Sequence, residues 1–161
     1  MATEYTYHVS AWWTSGKTGL AKCESAPNAI HFSDAPELGG LEGRWTVEQL
    51  LLCALAGSFT TTFQEVARAA KFEYLDLEVE VEARVSRNKA GSNFSAITLR
   101  PRLTVHAEDE FETALGLLRR TKSLCLISRA ITVPQTLEPR VEATTMHPGG
   151  WKEDAAIKLG V

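Results

Sequence analysis

The sequence predicts an α+β domain in which antiparallel sheet packs on helices, and three observations carry that prediction. A long helix starts abruptly at Thr46 and stays apolar through its first half. Residues Leu75 to Val85 alternate apolar and polar side chains without a break. The elements follow the order strands, long helix, hairpin, helix, strand, which segregates sheet from helix. At 161 residues the chain suits one domain, residues 1–161.

Tyr, Thr, Val and Trp dominate residues 4–13 and favour a strand. Thr14-Ser15-Gly16-Lys17-Thr18-Gly19 reads as a turn. Leu20 to Phe32 supplies one or two short strands around Pro27-Asn28. Ser33 to Gly43 contains Pro36, Gly39 and Gly40 and reads as a loop. Thr46 is then placed as an N-cap with Gln49 at N3, a capping box, and Trp45 and Leu50 occupy the positions of a hydrophobic staple. The helix is predicted to run to about Lys71. Its first half, Leu50 to Phe59, has no polar face, and such a helix must be enclosed on all sides. A chain this small does not enclose it alone, so a second subunit is expected to cover part of it. Thr60 to Ala70 gains Gln64, Glu65 and Arg68 and is amphipathic.

In the alternating segment, Leu75, Leu77, Val79, Val81, Ala83 and Val85 are assigned to the core. Asp76, Glu78, Glu80 and Glu82 are assigned to a solvated face that resists edge pairing. Asn88 to Asn93 reads as a hairpin loop. The following strand puts Ile97, Leu99, Leu103 and Val105 on one face, and Pro101 implies an edge position or a bulge. Glu108 to Lys122 forms a second helix, acidic at its start and basic at its end, as the helix dipole favours. Its buried stripe is Phe111, Ala114, Leu115, Leu118 and Thr121. A helical turn over Ile127 to Ile131 precedes a last strand around Thr136 to Ala143. Residues 144–161, with His147-Pro148-Gly149-Gly150, read as an extended C-terminal tail.

Hydrophobic residues make up 44% of the chain, an ordinary value for a soluble globular protein. The net charge of -3 and the lack of a Lys/Arg stripe argue against nucleic acid as a partner. Cys23, Cys53 and Cys125 are odd in number and widely spaced. They form neither a disulfide framework nor a CxxC zinc motif, and they suit a reducing cytoplasm. His8, His31, His106 and His147 show no HxxxH or HxH spacing, so neither metal nor cofactor is expected. The N-terminus lacks the basic region and apolar core of a secretion signal. The longest apolar run, Leu50 to Gly57, is too short to span a bilayer, so no membrane partner is expected.

Three blocks of sequence stand in a distinctive order. They are Ser15-Gly16-Lys17-Thr18-Gly19; then Asp34-Ala35-Pro36-Glu37-Leu38-Gly39-Gly40 leading to Thr46-Val47-Glu48-Gln49-Leu50; then the pair Gly57-Ser58-Phe59 and Leu124-Cys125-Leu126-Ile127. Over roughly residues 8–143 this order resembles the OsmC/Ohr family of thiol-dependent organic hydroperoxide reductases, which act in the oxidative stress response. The resemblance implies an intertwined homodimer, with antiparallel sheets around a long central helix and a site at the subunit interface. It also implies a peroxidatic cysteine, a second cysteine as its disulfide partner, an arginine–glutamate pair beside the reactive thiol, and a dithiol reductant. Here Ser58 stands in the place of the peroxidatic cysteine and Cys125 matches its partner. Glu48 matches the glutamate, and Lys17 stands in the place of the arginine. Leu126 stands where the family tends to have proline.

A serine hydroxyl cannot cycle through a sulfenic acid and a disulfide. A reactive thiolate needs a nearby cation. Arginine bridges carboxylate and thiolate with its fork, whereas Lys17 offers a point charge. Both replacements therefore weaken peroxide chemistry. Glu48 and Ser58 are ten residues apart on one helix, about 15 Å along its axis. They can meet only across a partner helix running antiparallel.

Three roles are open to Ser58: bonded to the helix carbonyl one turn back, anchoring an apolar ligand together with Glu48, or acting as a nucleophile. The last lacks a G-x-S-x-G elbow and a placeable base. Cys125 is either a small buried hydrophobe or a one-cysteine peroxidase resolved by an external thiol. Cys53 points about 140° away from Ser58 and is assigned to core packing. No function attaches to Cys23. Trp12 and Trp13 are assigned to the core, with one side free for an interface or pocket wall. The expectation is a divergent family member with an interface pocket for a hydrophobic small molecule. The alternatives are a weak hydroperoxide reductase using Cys125 alone, or a structural or partner-binding dimer.

Overall fold

The computed structural model describes residues 4–89 and 91–144; the tail from residue 145 onward, His147 included, lies outside them. The first sheet holds β1 (Ser10–Ser15), β2 (Thr18–Lys22), β3 (Ile30–Ser33) and β4 (Trp45–Thr46), in that order. The first three strands are antiparallel, and β4 runs parallel to β3. The expected first strand starts late, at Ser10, because its partner there, Lys22, is the last residue of β2. A strand ends where its ladder ends. The turn is also tighter than the six residues expected: Gly16 and Lys17 alone connect β1 to β2, with Gly16 at φ 53. Trp12 and Trp13 are 47% and 71% exposed, so this sheet does not bury them as core.

The segment after β3 folds back onto the β1–β2 turn. Buried Ser33 donates its hydroxyl to the Lys17 carbonyl (3.2 Å) and accepts the Leu41 N–H (2.9 Å). Residues Pro36–Leu38 make a 3₁₀ turn between them. A Cβ at Gly40 would lie 1.7 Å from the Asp34 carbonyl oxygen, so only glycine fits there.

Helix α1 (Val47–Ala70) begins at the predicted cap. Thr46 Oγ1 accepts the Gln49 N–H at 3.2 Å, and Gln49 Oε1 accepts the Thr46 N–H at 3.0 Å. Caps of this kind stabilise a helix by about 1 kcal/mol. The helix stops at Lys71, whose left-handed conformation (φ 52) turns its N–H onto the Ala67 and Arg68 carbonyls. By length and composition α1 as a whole would suffice to cross a bilayer, although its uninterrupted apolar run is short. Its side chains Leu55, Phe59, Phe63, Val66 and Ala67 are buried in the domain core. The other side is open: Gln49, Cys53, Ala54 and Gly57 are exposed. Cys53 is thus not a core residue. Its place about 140° round the helix from Ser58 puts it where none of the described residues covers it.

The second sheet is built on β5 (Asp76–Asn88) and β6 (Gly91–Val105), paired antiparallel as far as Asn88 and Gly91, so the expected loop is mostly strand. Leu77, Val79, Val81 and Ala83 are half-buried against the core, while Leu75 and Val85 at the ends are 48% and 51% exposed. The acidic face is paired rather than only solvated. Arg100 reaches Glu82 (2.9 Å), Glu138 (2.9 Å) and Glu80 (3.3 Å), and Arg102 pairs with Glu78.

After β6 come α2 (Phe111–Leu124), α3 (Leu126–Ala130), β7 (Gln135–Leu137) and β8 (Arg140–Ala143). Both β7 and β8 run parallel to β6, so each sheet carries a parallel pairing beside its antiparallel ones. This makes β6 central and corrects the reading of Pro101 as an edge or bulge residue. Ile97 donates its N–H to the Pro134 carbonyl and the Leu99 carbonyl accepts from Glu138, so odd-numbered backbone groups face this side. Pairing with β7 stops at Leu99, pairing with β8 resumes at Arg102, and the register is the same on both sides of the break. Pro139 therefore falls opposite buried Pro101, and two residues without N–H groups share one gap in the ladder. The single last strand expected over Thr136 to Ala143 is split there.

The core lies between α1, the inner face of β6 and α2. Leu55, Phe59 and Phe63 meet Ile97, Leu99, Leu103 and Val105, with Ala114, Leu117 and Leu118 closing the side.

Candidate functional site

Ser58 lies on α1, on the side facing the corner between α2 and α3. Cys125 forms that corner. Its ψ of 118° ends α2 and starts α3, its N–H donates to the Thr121 carbonyl (2.8 Å), and its carbonyl accepts from Arg129 (3.0 Å). The Cys125 thiol donates to Ser58 Oγ at 3.2 Å, and the Ile127 N–H points to the same oxygen at 3.5 Å. Ile127 sits in the first turn of α3, where N–H groups have no partner within the helix. Ser58 thus caps a second helix from outside. Its hydroxyl oxygen serves this corner, not the bond to its own helix that the sequence allows. Cys125 has no exposed surface, and a thiol is a weak donor. The pair is a packed contact.

Lys17 and Glu48 are not brought to this pair. Lys17 Nζ donates to the Leu38 carbonyl at the end of the 3₁₀ turn and lies 3.6 Å from Asp34 Oδ2. It fastens the loop that Gly40 and Ser33 shape. Glu48 is exposed in the first turn of α1, and its side chain has no ion pair or hydrogen bond among the described residues.

On the opposite side of α1 runs a groove of about 600 Å³, walled by Arg44, Trp45, Leu52, Cys53, Ala56 and Val81. Ser58 and Glu48 do not line it. Next to it is a smaller pocket of about 230 Å³, where Arg44 recurs with Thr14, Ser15, Thr18 and His31. Sequence reasoning missed Arg44, which carries no motif, and assigned Cys53 elsewhere. One signal was available: Gln49, Leu52, Cys53 and Ala56 share one helical face. Cys23 lies 3.5 Å from Ser25 Oγ, and that hydrogen bond lowers the pKa of its thiol. Among the described residues no group of His, Cys, Asp and Glu could hold a metal ion.

The family model described as OsmC-like protein matches residues 40–140. The uncharacterized protein YmaD of Bacillus subtilis (strain 168) is 24% identical over 131 residues, covering 80% of this chain and 87% of its own. An organic hydroperoxide resistance protein from Elizabethkingia anophelis superposes with a TM-score of 0.72 at 19% identity, over 89% of this chain and 100% of its own. An organic hydroperoxide resistance protein OsmC from Legionella pneumophila gives 0.71 at 22%, over 88% and 99%. At these identities the structural likeness speaks for the fold.

Proposed function

Because the chain belongs to the OsmC-like protein family, we propose that it is a member that binds a hydrophobic small molecule and does not perform two-cysteine hydroperoxide reduction. The contact between Ser58 Oγ and Cys125 Sγ, 3.2 Å long, carries this reading. The two-cysteine reaction moves an oxygen from peroxide to a thiolate and then joins two sulfurs. At this contact only one sulfur is present. The full burial of Cys125 also weighs against its acting alone, since peroxide would have to enter a packed corner.

The binding half of the reading rests on the groove beside α1. Pockets of roughly 300–1,000 Å³ with mostly apolar walls suit small-molecule ligands. Here Trp45, Leu52, Ala56 and Val81 supply the walls. A homodimer supports the same reading. Trp45 and Val47 at the start of α1 are 52% and 54% exposed, and Leu124 and Leu126 beside the Cys125 corner are 48% and 69% exposed. Large apolar side chains exposed beside α1 suit an interaction surface. A second copy laid on α1 would turn the open groove into an enclosed one and give Glu48 a cross-subunit neighbour. The protein works, on this reading, as a cytoplasmic dimer.

The test is consumption of cumene hydroperoxide with a dithiol reductant by the purified protein and by Cys125→Ser. Neither is expected to turn over. Turnover that vanishes in Cys125→Ser would establish a one-cysteine peroxidase and end this proposal. Sedimentation of the same sample tests the dimer, and a monomer at micromolar concentration removes that part.

A further inference from the structure

Arg44 borders two cavities of opposite character. On one side is the apolar groove with Trp45, Leu52 and Val81; on the other is the polar pocket with His31 and the hydroxyl-bearing turn of Thr14, Ser15 and Thr18. Among the described residues its guanidinium has no carboxylate partner and no hydrogen bond. The other cation of the same loop system, Lys17, is already held by Asp34 and the Leu38 carbonyl. Two of the hydroxyls are engaged as well: Thr14 donates to the Thr18 carbonyl, and Thr18 donates to that of Ser15. Ser15 Oγ lies 3.5 Å from Thr18 Oγ1, so of the side-chain donors lining the polar pocket the Arg44 fork and the His31 ring are the ones without a hydrogen bond among the described residues.

We propose that the ligand of the groove is an amphiphilic monocarboxylate, its chain lying along Trp45, Leu52 and Val81 and its carboxylate received by Arg44 with His31 beside it. This rests on the reading that the groove binds a hydrophobic molecule, and adds which end of that molecule is charged and where it sits. A guanidinium presents two parallel N–H groups in a plane that matches one carboxylate. Charge complementarity thus selects the head, and the apolar walls select the tail. The site lies on the far side of α1 from Ser58 and Cys125, so it calls on neither for chemistry.

The test is titration calorimetry with octanoate, octan-1-ol and acetate on the wild-type protein and on Arg44→Gln, an exposed substitution. Octanoate is expected to bind saturably and about tenfold or more tighter than either octanol or acetate. Arg44→Gln should remove that advantage, bringing octanoate to the affinity of octanol for the same variant. Equal affinity of the wild-type protein for octanoate and octanol, or an Arg44→Gln protein that holds octanoate as tightly as before, overturns the carboxylate site and leaves the hydrophobic pocket standing. Failure of both octanoate and octanol to bind overturns the two together.

Discussion

The thiol of Cys125 donates to the hydroxyl of Ser58 across 3.2 Å, joining residues 67 positions apart in the chain. One oxygen atom thereby bridges α1 to the corner of α2 and α3. It also receives the Ile127 N–H that the short helix α3 cannot satisfy itself.

The spacing makes Ser58→Cys an informative variant. Two sulfurs in these positions are close to disulfide reach, which needs a separation of about 2.05 Å after small rotations. The variant is expected to form an intrachain disulfide on mild oxidation, read by loss of two free thiols and by mass. In the chain-entropy picture a bridge over this interval adds about 4 kcal/mol of stability. A variant that stays reduced would mean the corner no longer holds the geometry of a peroxide-reducing pair.

A double-mutant cycle measures what the contact contributes now. Ser58→Ala leaves the Cys125 thiol and the Ile127 N–H without their acceptor and is expected to cost about 1–2 kcal/mol in urea unfolding. Cys125→Ala empties a small buried volume at a similar cost. The double variant should lose less than the combined single losses, by about 0.5–1 kcal/mol. Additive losses would show that the two side chains are neighbours without being coupled.

Gly40 and Gly116 should respond to alanine with opposite signs. The new methyl at Gly40 meets the Asp34 carbonyl oxygen at 1.7 Å, so the loop held by Lys17 has to shift. A loss of about 2 kcal/mol or more is expected. Gly116 is exposed on α2, and a methyl added there would meet nothing within 4 Å. Alanine at that position should stabilise by about 0.5–1 kcal/mol. Thermal unfolding of the two variants side by side tests both, and a shift of the same sign would contradict the loop geometry.

The thiols of Cys23 and Cys125 should separate in alkylation. The Ser25 hydroxyl lowers the pKa of Cys23, so its thiolate appears at lower pH than that of an ordinary free cysteine. Its rate of reaction with iodoacetamide should rise correspondingly early along a pH series, and Ser25→Ala should move the rise to higher pH. Cys125, with no exposed surface, should react only after unfolding. Peptide mass mapping distinguishes the sites, and early labelling of Cys125 would mean that its corner opens readily.

Much of this fold is readable in the sequence. Thr46 and Gln49 mark the helix start by local chemistry, since both hydrogen bonds of the box fall within one turn. The alternation from Leu77 to Ala83 needs only the strand period. The meeting of Ser58 with Cys125 is legible through resemblance, because no local rule links residues so far apart. What fails depends on distant partners. A helix apolar on every side does not say which side its own chain leaves open, so the sequence misplaces Cys53. Trp12 and Trp13 look like core because their composition is that of core, yet none of the described residues covers them as a second layer. Pro101 cannot reveal that its counterpart in the gap is Pro139.

That shared gap bears on how the chain avoids misassembly while it is being made. Strand β6 emerges from synthesis well before residues 135–143, which later cover its second edge. Pairing with β5 is local and forms early, whereas the parallel partners must close a long loop first. Until then a long central strand presents a row of unsatisfied backbone groups, the usual template for aggregation. Pro101 sits in the middle of that row and contributes no donor to it. It divides one long adhesive edge into two short ones, and the finished fold hides the interruption by setting Pro139 against it.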